Sequence, residues 1–147
     1  MMQRILALTA FLTIAGTVAV GAYGAAASDH MLYVRVDNVR LAKGMVHVSI
    51  CTEAQFLKDC SWSGKAPAAV PLTIVAVPGV PQGRYGAQIY HDKNNNGKVD
   101  RNFLGIPREG VGFSNDAKIV LKPPRFADAA FQYNGGAQTI RLKLRYF

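Results

Sequence analysis

The sequence predicts an all-β protein, an antiparallel β-sandwich of about seven short strands. Three observations carry this reading. Apolar residues alternate with polar ones at period two in several separate stretches. Turn-forming pairs punctuate the chain between those stretches, among them Lys43-Gly44, Pro78-Gly79, Asn96-Gly97, Pro123-Pro124 and Asn134-Gly135-Gly136. No extended helical apolar stripe appears anywhere after the first thirty or so residues.

The elements follow in order. Arg4 is the one charge before Asp29, and an uncharged apolar run from Ile5 to Val20 leads into small residues ending Ala25-Ala26-Ala27. This pattern fits a secretory signal peptide over residues 1–27, cut after Ala27, which leaves a single domain over 28–147. The alternative is a retained anchor, since the uncharged stretch is long enough to span a bilayer. Leu32, Val34 and Val36 then mark a first strand, and Val46, Val48 and Ile50 a second. Thr52-Glu53-Ala54-Gln55 reads as a capping box opening one short helical turn, with Phe56 and Leu57 pinning it to the core. Residues 72–77 and 84–91 are the next strands, 117–121 and 126–133 weaker ones. Ile140, Leu142, Leu144 and Tyr146 close the chain as a last alternating strand.

Composition limits the function classes. The chain has 147 residues, half of them hydrophobic and 18% charged, which suits one folded domain and excludes disorder and a large multidomain enzyme. Lys and Arg number 17 against 9 Asp and Glu, a formal charge of +8. No recognition helix or stacking motif accompanies that charge, so nucleic acid is not an expected partner. Arg141, Lys143 and Arg145 project from one face of the last strand, and Arg35 joins them if that strand pairs with the first. Such a face suits an anionic partner, or simply keeps a sheet edge solvated and unpaired. The two cysteines, Cys51 and Cys60, form an even pair in a chain read as exported, which makes a structural disulfide the default. Two reduced, buried thiols are the alternative, and the spacing is not that of a redox Cys-x-x-Cys pair.

The most specific local signal is Asp92-Lys93-Asn94-Asn95-Asn96-Gly97-Lys98-Val99-Asp100. Oxygen-bearing side chains at alternate positions of a tight turn can converge on a hard cation, with a glycine at the reversal. Asp92, Asn94 and Asn96 would supply side-chain oxygens, Lys98 its carbonyl, and Asp100 a direct or water-bridged ligand. Calcium is the expected ion. Phe103 occupies the position where an EF-hand carries its bidentate Glu, so the pattern is that of a strand-flanked extracellular loop, with Glu109, Asn115 and Asp116 as ligand candidates from the next segment. Lys93, Lys98, Arg101 and Arg108 surround the two loop carboxylates, which points to weak binding, on the order of 10⁻⁴ to 10⁻³ M. A purely structural turn is the competing reading, because Asn-Gly is a strong hairpin signal and Asx side chains cap their own turns. A hydrolase-type site built from His91, Asp92, Glu109 and Ser114 is the enzymatic alternative, although no nucleophile elbow is present and the histidines lack zinc-ligand spacing.

From His91 onward, the loop leads into Phe103-Leu104-Gly105-Ile106-Pro107-Arg108-Glu109-Gly110-Val111-Gly112-Phe113-Ser114-Asn115. Together they resemble the HDxNxNGxxD loop and GxPxExxGFSN segment of the exported bacterial family known as domain of unknown function 2141. Pro81-Gln82-Gly83-Arg84-Tyr85 and Pro124-Arg125-Phe126-Ala127-Asp128-Ala129-Ala130-Phe131 resemble that family's flanking strands. Val80 and Gly86 depart from it, standing where Leu and Ala are usual. The resemblance covers roughly residues 40 to 147. It implies an envelope or secreted β-sandwich, similar to immunoglobulin-like or prealbumin-like modules, and no reaction. The expectation is therefore a monomeric, non-enzymatic binding or structural module, periplasmic or secreted. It would carry a calcium-braced loop and no transmembrane segment once the leader is removed, and would meet an envelope or extracellular ligand.

Overall fold

The computed structural model describes residues 30–147, so the leader read at 1–27 lies outside the described residues. Eight strands run in the order β1 (Met31–Asp37), β2 (Met45–Cys51), β3 (Trp62–Pro67), β4 (Leu72–Pro78), β5 (Gly83–Asp92), β6 (Val111–Phe113), β7 (Ala130–Tyr133) and β8 (Gln138–Lys143). A single helical turn, α1 (Phe126–Ala129), precedes β7. The fold is the all-β sandwich that the alternation predicts.

A three-stranded sheet has the order β4-β1-β8. The other sheet runs β3-β2-β5, and the far edge of β5 is shared by β6 along one half and β7 along the other. All pairings are antiparallel except β1 with β8, which is parallel and sets Arg35 opposite Arg141. The sheets face each other through the alternating residues. Leu32, Val34 and Val36 of β1, Val46, Val48 and Ile50 of β2, Val75 and Val77 of β4, and Leu142 of β8 are all buried in one cluster. The two sheets also meet along both margins. Val111 exchanges backbone hydrogen bonds with Arg145 just beyond β8 (3.0 and 2.8 Å). On the opposite side, a Cβ on Gly64 of β3 would collide with the carbonyl oxygen of Ala76 in β4.

A second apolar cluster covers the outer face of the larger sheet. Phe56, Phe113 and Phe126 pack with ring centroids 5.7 and 5.6 Å apart, over Cys51 and Ala129. Gly86 makes room for them, since a Cβ there would lie 2.8 Å from the Phe56 ring. That is the physical context of the departure at position 86, and buried Val80 keeps the apolar role of the usual Leu.

The turn after Cys51 is a 3-10 turn (Glu53–Gln55) with the Thr52–Gln55 capping box in place. Phe56 is buried as expected, but Leu57 adopts a positive φ of 66° and is about half exposed. Cys51 and Cys60 are joined by a disulfide with a Cα–Cα distance of 4.8 Å. Four further readings of the chain need correction. The last strand, read through Tyr146, ends at Lys143, and beyond it only Arg145 makes an isolated bridge. Residues 117–121 form no strand; Val120 makes one isolated bridge, to Lys122. Residues 126–133 divide into α1 and the shorter β7. Asn96-Gly97 is no two-residue hairpin, because β5 ends at Asp92 and the next strand starts at Val111.

Candidate functional site

The 92–100 loop leaves the end of β5 and is held from three directions. From within, Asp92 is almost wholly buried, and its Oδ1 and Oδ2 accept the backbone N–H groups of Asn96 (3.1 Å) and Gly97 (2.8 Å). Asn94 Oδ1 accepts the N–H of Asn96 (3.3 Å), and Asn96 Oδ1 that of Lys98 (3.1 Å). The three side chains sit at alternate positions, and the accepting oxygens other than Asp92 Oδ2 each keep a further lone pair. Across the loop, the amides of Asn94 and Asn96 donate to the two oxygens of Asp100 at 2.6 and 2.8 Å. Those two hydrogen bonds hold the Asp100 carboxyl below its usual range.

From beneath, Glu109 straps the loop at both ends. Its Oε1 accepts the N–H of Lys93 (2.8 Å) and its Oε2 the N–H of Asp100 (3.1 Å). The side chain is almost completely buried. Lys93 Nζ adds a bond to the carbonyl of Arg108 (3.0 Å), and the Arg108 N–H one to the carbonyl of Asp100 (2.8 Å). From the sheet, Gly44 closes the near side. Its φ of 76° and close approach to the Asp92 carbonyl leave no room for a side chain.

Beside the loop, the outer face of β2 and β5 adds residues that sequence patterning did not single out. His47 stacks flat on Tyr90 at 4.7 Å between centroids, and its Nε2 lies 3.4 Å from Asp92 Oδ2. Burial pushes the His47 pKa down, against the pull of the Asp92 carboxylate, which would raise it. Burial also raises Tyr90, helped by the negative charges of Asp92 and Glu109. The signal for both was only their place opposite each other on the polar face of two strands.

Of the residues in the enzymatic grouping, Asp92 and Glu109 meet at the loop, whereas His91 and Ser114 do not join them. His91 points to the other side of β5, with Nε2 donating to the Lys43 carbonyl (2.7 Å) and Nδ1 accepting from Tyr146 Oη (3.1 Å). Ser114 accepts the Ala87 N–H (2.8 Å) and donates to the Ala129 carbonyl. Ala87 stands four residues from His91 along β5, roughly 13 Å at strand rise, so Ser114 is remote from the His91 end. Asn115 and Asp116, considered as ion ligands, serve that remote region too. The Asn115 amide donates to the Ala130 carbonyl (2.8 Å), and Asp116 accepts the Lys143 N–H (2.9 Å). The basic face of β8 does gather Arg35 beside Arg141, but both hydrogen-bond to Asp37. Burial acts to raise the Asp37 carboxyl, and the bonds from Arg141 and Arg35 outweigh it and bring it below its usual value. Part of that face is therefore neutralised within the protein.

A second surface adjoins the loop. Between residues 101–108 and residues 119–123 lies an open trough of about 940 Å³, floored by Ser49, Gln88 and Tyr90. Its walls carry Phe103, Leu104, Ile106 and Leu121, all substantially exposed. No helix among the described residues is long and apolar enough to cross a membrane.

The family described as "Uncharacterized protein conserved in bacteria (DUF2141)" matches residues 34–141, well over half of the chain and inclusive of the whole loop and its strap. Neither the curated proteins nor the solved structures contain a match. The chain belongs to the bacterial DUF2141 family.

Proposed function

We propose that this protein is a non-enzymatic binding module of the bacterial envelope, periplasmic or secreted, whose 92–100 loop is braced by calcium. One observation supports the ion above all others. Asp92, Asn94 and Asn96 present oxygens ordered by the loop's own N–H groups, and Asp100 is drawn across to within 2.8 Å of the two amides. A hard cation bound there would use the remaining lone pairs of these groups and the Lys98 carbonyl, with water and Glu109 as further oxygen sources. The loop is closed by hydrogen bonds of its own, and Lys93, Arg101 and Arg108 stand nearby, so the affinity is low. The Cys51–Cys60 disulfide supports an oxidising compartment. The distance between Ser114 and the His91 end of β5 favours binding over catalysis.

Calorimetric and melting titrations with calcium test the ion. A dissociation constant of about 1 mM stabilises the fold by about 1.4 kcal/mol at 10 mM calcium, a melting shift of a few degrees. Asp100→Ala, at a partly exposed position, removes both signals while leaving the metal-free melting point within a degree or two. Absence of heat and of any shift at 10 mM sinks the calcium site and leaves the loop as a self-capped turn.

A further inference from the structure

The apolar trough beside the loop and the segment next to it carry large apolar side chains that stand mostly in solvent. Phe103 is 94% exposed and Leu121 is fully exposed, with Leu104 and Val120 about two-thirds exposed. Leu121 is moreover held at a φ of 59°, a conformation unfavourable for a branched side chain. Both segments are bracketed by cations: Arg101 and Arg108 around the first, Lys122 beside the second. Arg101 and Arg108 also line a neighbouring polar cleft together with Lys43 and Lys93. Among the described residues none of these five cations forms an ion pair. The two carboxylates of the cleft, Glu109 and Asp100, are hydrogen-bonded to backbone N–H groups and Asn amides and keep their charge, so the four cations of the cleft outnumber its anions by two.

We propose that this end of the sandwich docks on the surface of an anionic phospholipid bilayer, with Phe103 and Leu121 entering the acyl boundary and the five cations lying at the headgroups. The placement of charge selects this partner. Apolar tips flanked by Lys and Arg match a layer whose outer part is anionic and whose inner part is hydrocarbon. A single amphiphile lying in the trough would meet Phe103 and Leu121 on one side only and would leave the cations of the neighbouring cleft without an anionic partner. A second copy of the chain would bring the same cations face to face. The inference rests on the reading of the protein as a binding module, and it does not require the calcium ion.

The test is co-sedimentation of the full chain with vesicles of phosphatidylcholine, with and without about one-third phosphatidylglycerol, throughout in EDTA. The wild type partitions at least about tenfold more strongly onto the anionic vesicles, and the excess falls as salt rises. Phe103→Ser with Leu121→Ser removes about tenfold of that binding, whereas Ile74→Ser, an exposed apolar residue on the opposite sheet, changes it less than twofold. Comparing variants of the same chain cancels any contribution of the N-terminal segment. Phe103→Trp gives a blue-shifted emission that brominated lipids quench. Equal binding by wild type and the double variant overturns the proposal. So does tip-dependent dimerisation in sedimentation equilibrium without vesicle binding, or saturable uptake of dodecanoate by the trough without it. Because no calcium is present, failure here leaves the calcium titration to stand or fall by itself.

Discussion

At the scale of single residues, what decides the polar loop is which oxygen meets which N–H. The alternate positions of Asp92, Asn94 and Asn96 were legible in the sequence because their partners lie within the same few residues. Glu109 was legible only as a nearby carboxylate. Its task depends on the chain doubling back through residues 101–108, which brings it under both ends of the loop. Replacing it with Gln keeps the shape but turns one oxygen into an N–H₂ that faces a backbone N–H. One of the donors at Lys93 and Asp100 then loses its acceptor in a buried place, at a cost of about 1–3 kcal/mol. Urea unfolding of Glu109→Gln measures that loss, and hydrogen exchange shows faster exchange at Lys93 or Asp100. A change within about 0.5 kcal/mol would mean that Glu109 is merely a surface carboxylate. The same logic explains Ser114 and Asn115, which look like site residues in the motif and instead tie β5 to α1 and β7.

At the scale of elements, period-two alternation located the strands that have one face in the core, and it failed where a strand has another reason to exist. β3 reads Trp-Ser-Gly-Lys-Ala-Pro; its inner positions Trp62, Gly64 and Ala66 alternate with outer ones, but two of the three are too small to stand out as an apolar pattern. It pairs with β2, and its Gly64 passes so close to β4 that a side chain would not fit. Conversely, the apolar residues at 119–121 suggested a strand because the pattern cannot tell a buried face from an exposed wall. In the turn over residues 51–60 the short-range features, the Thr52–Gln55 pair and the cysteine pair, are legible in the sequence, whereas the exposure of Leu57 is not. Its disulfide closes a loop of about ten residues, for which chain entropy gives about 2.7 kcal/mol of stabilisation. Reduction with dithiothreitol is expected to lower the urea stability by that order, with the protein still folded in dilute buffer. An unchanged midpoint after confirmed reduction would show that the bond adds nothing to the fold.

At the scale of the whole molecule, the order of strands makes the sheets interdependent. Among the described residues the path runs through the three-stranded sheet with β1, crosses for β2 and β3, returns for β4, crosses again for β5 to β7, and comes back to the first sheet with β8. Neither sheet is contiguous in sequence, and both margins are stitched, at Val111–Arg145 and at Gly64 against Ala76. Damage to one sheet should therefore be felt fully by the other. Leu142 of β8 is completely buried in the shared core, and Leu142→Ala is expected to cost about 2–5 kcal/mol, from lost burial and the cavity left behind. The chain's one tryptophan, Trp62, lies on β3 in the opposite sheet, edge-on to Tyr85 at 5.3 Å, so its fluorescence reports on a region with no strand pairing to β8. Unfolding followed by Trp62 emission and by far-UV circular dichroism should give one midpoint, displaced equally by Leu142→Ala. If the Trp62 midpoint stayed in place while the dichroism moved, the sheets would be separate folding units. A surface loop braced by one of them could then move without the other. Coincident shifts mean instead that the Glu109 strap and the exposed tips at Phe103 and Leu121 stand on one cooperative frame. A docking end needs such a frame to hold apolar tips and flanking cations in fixed relation.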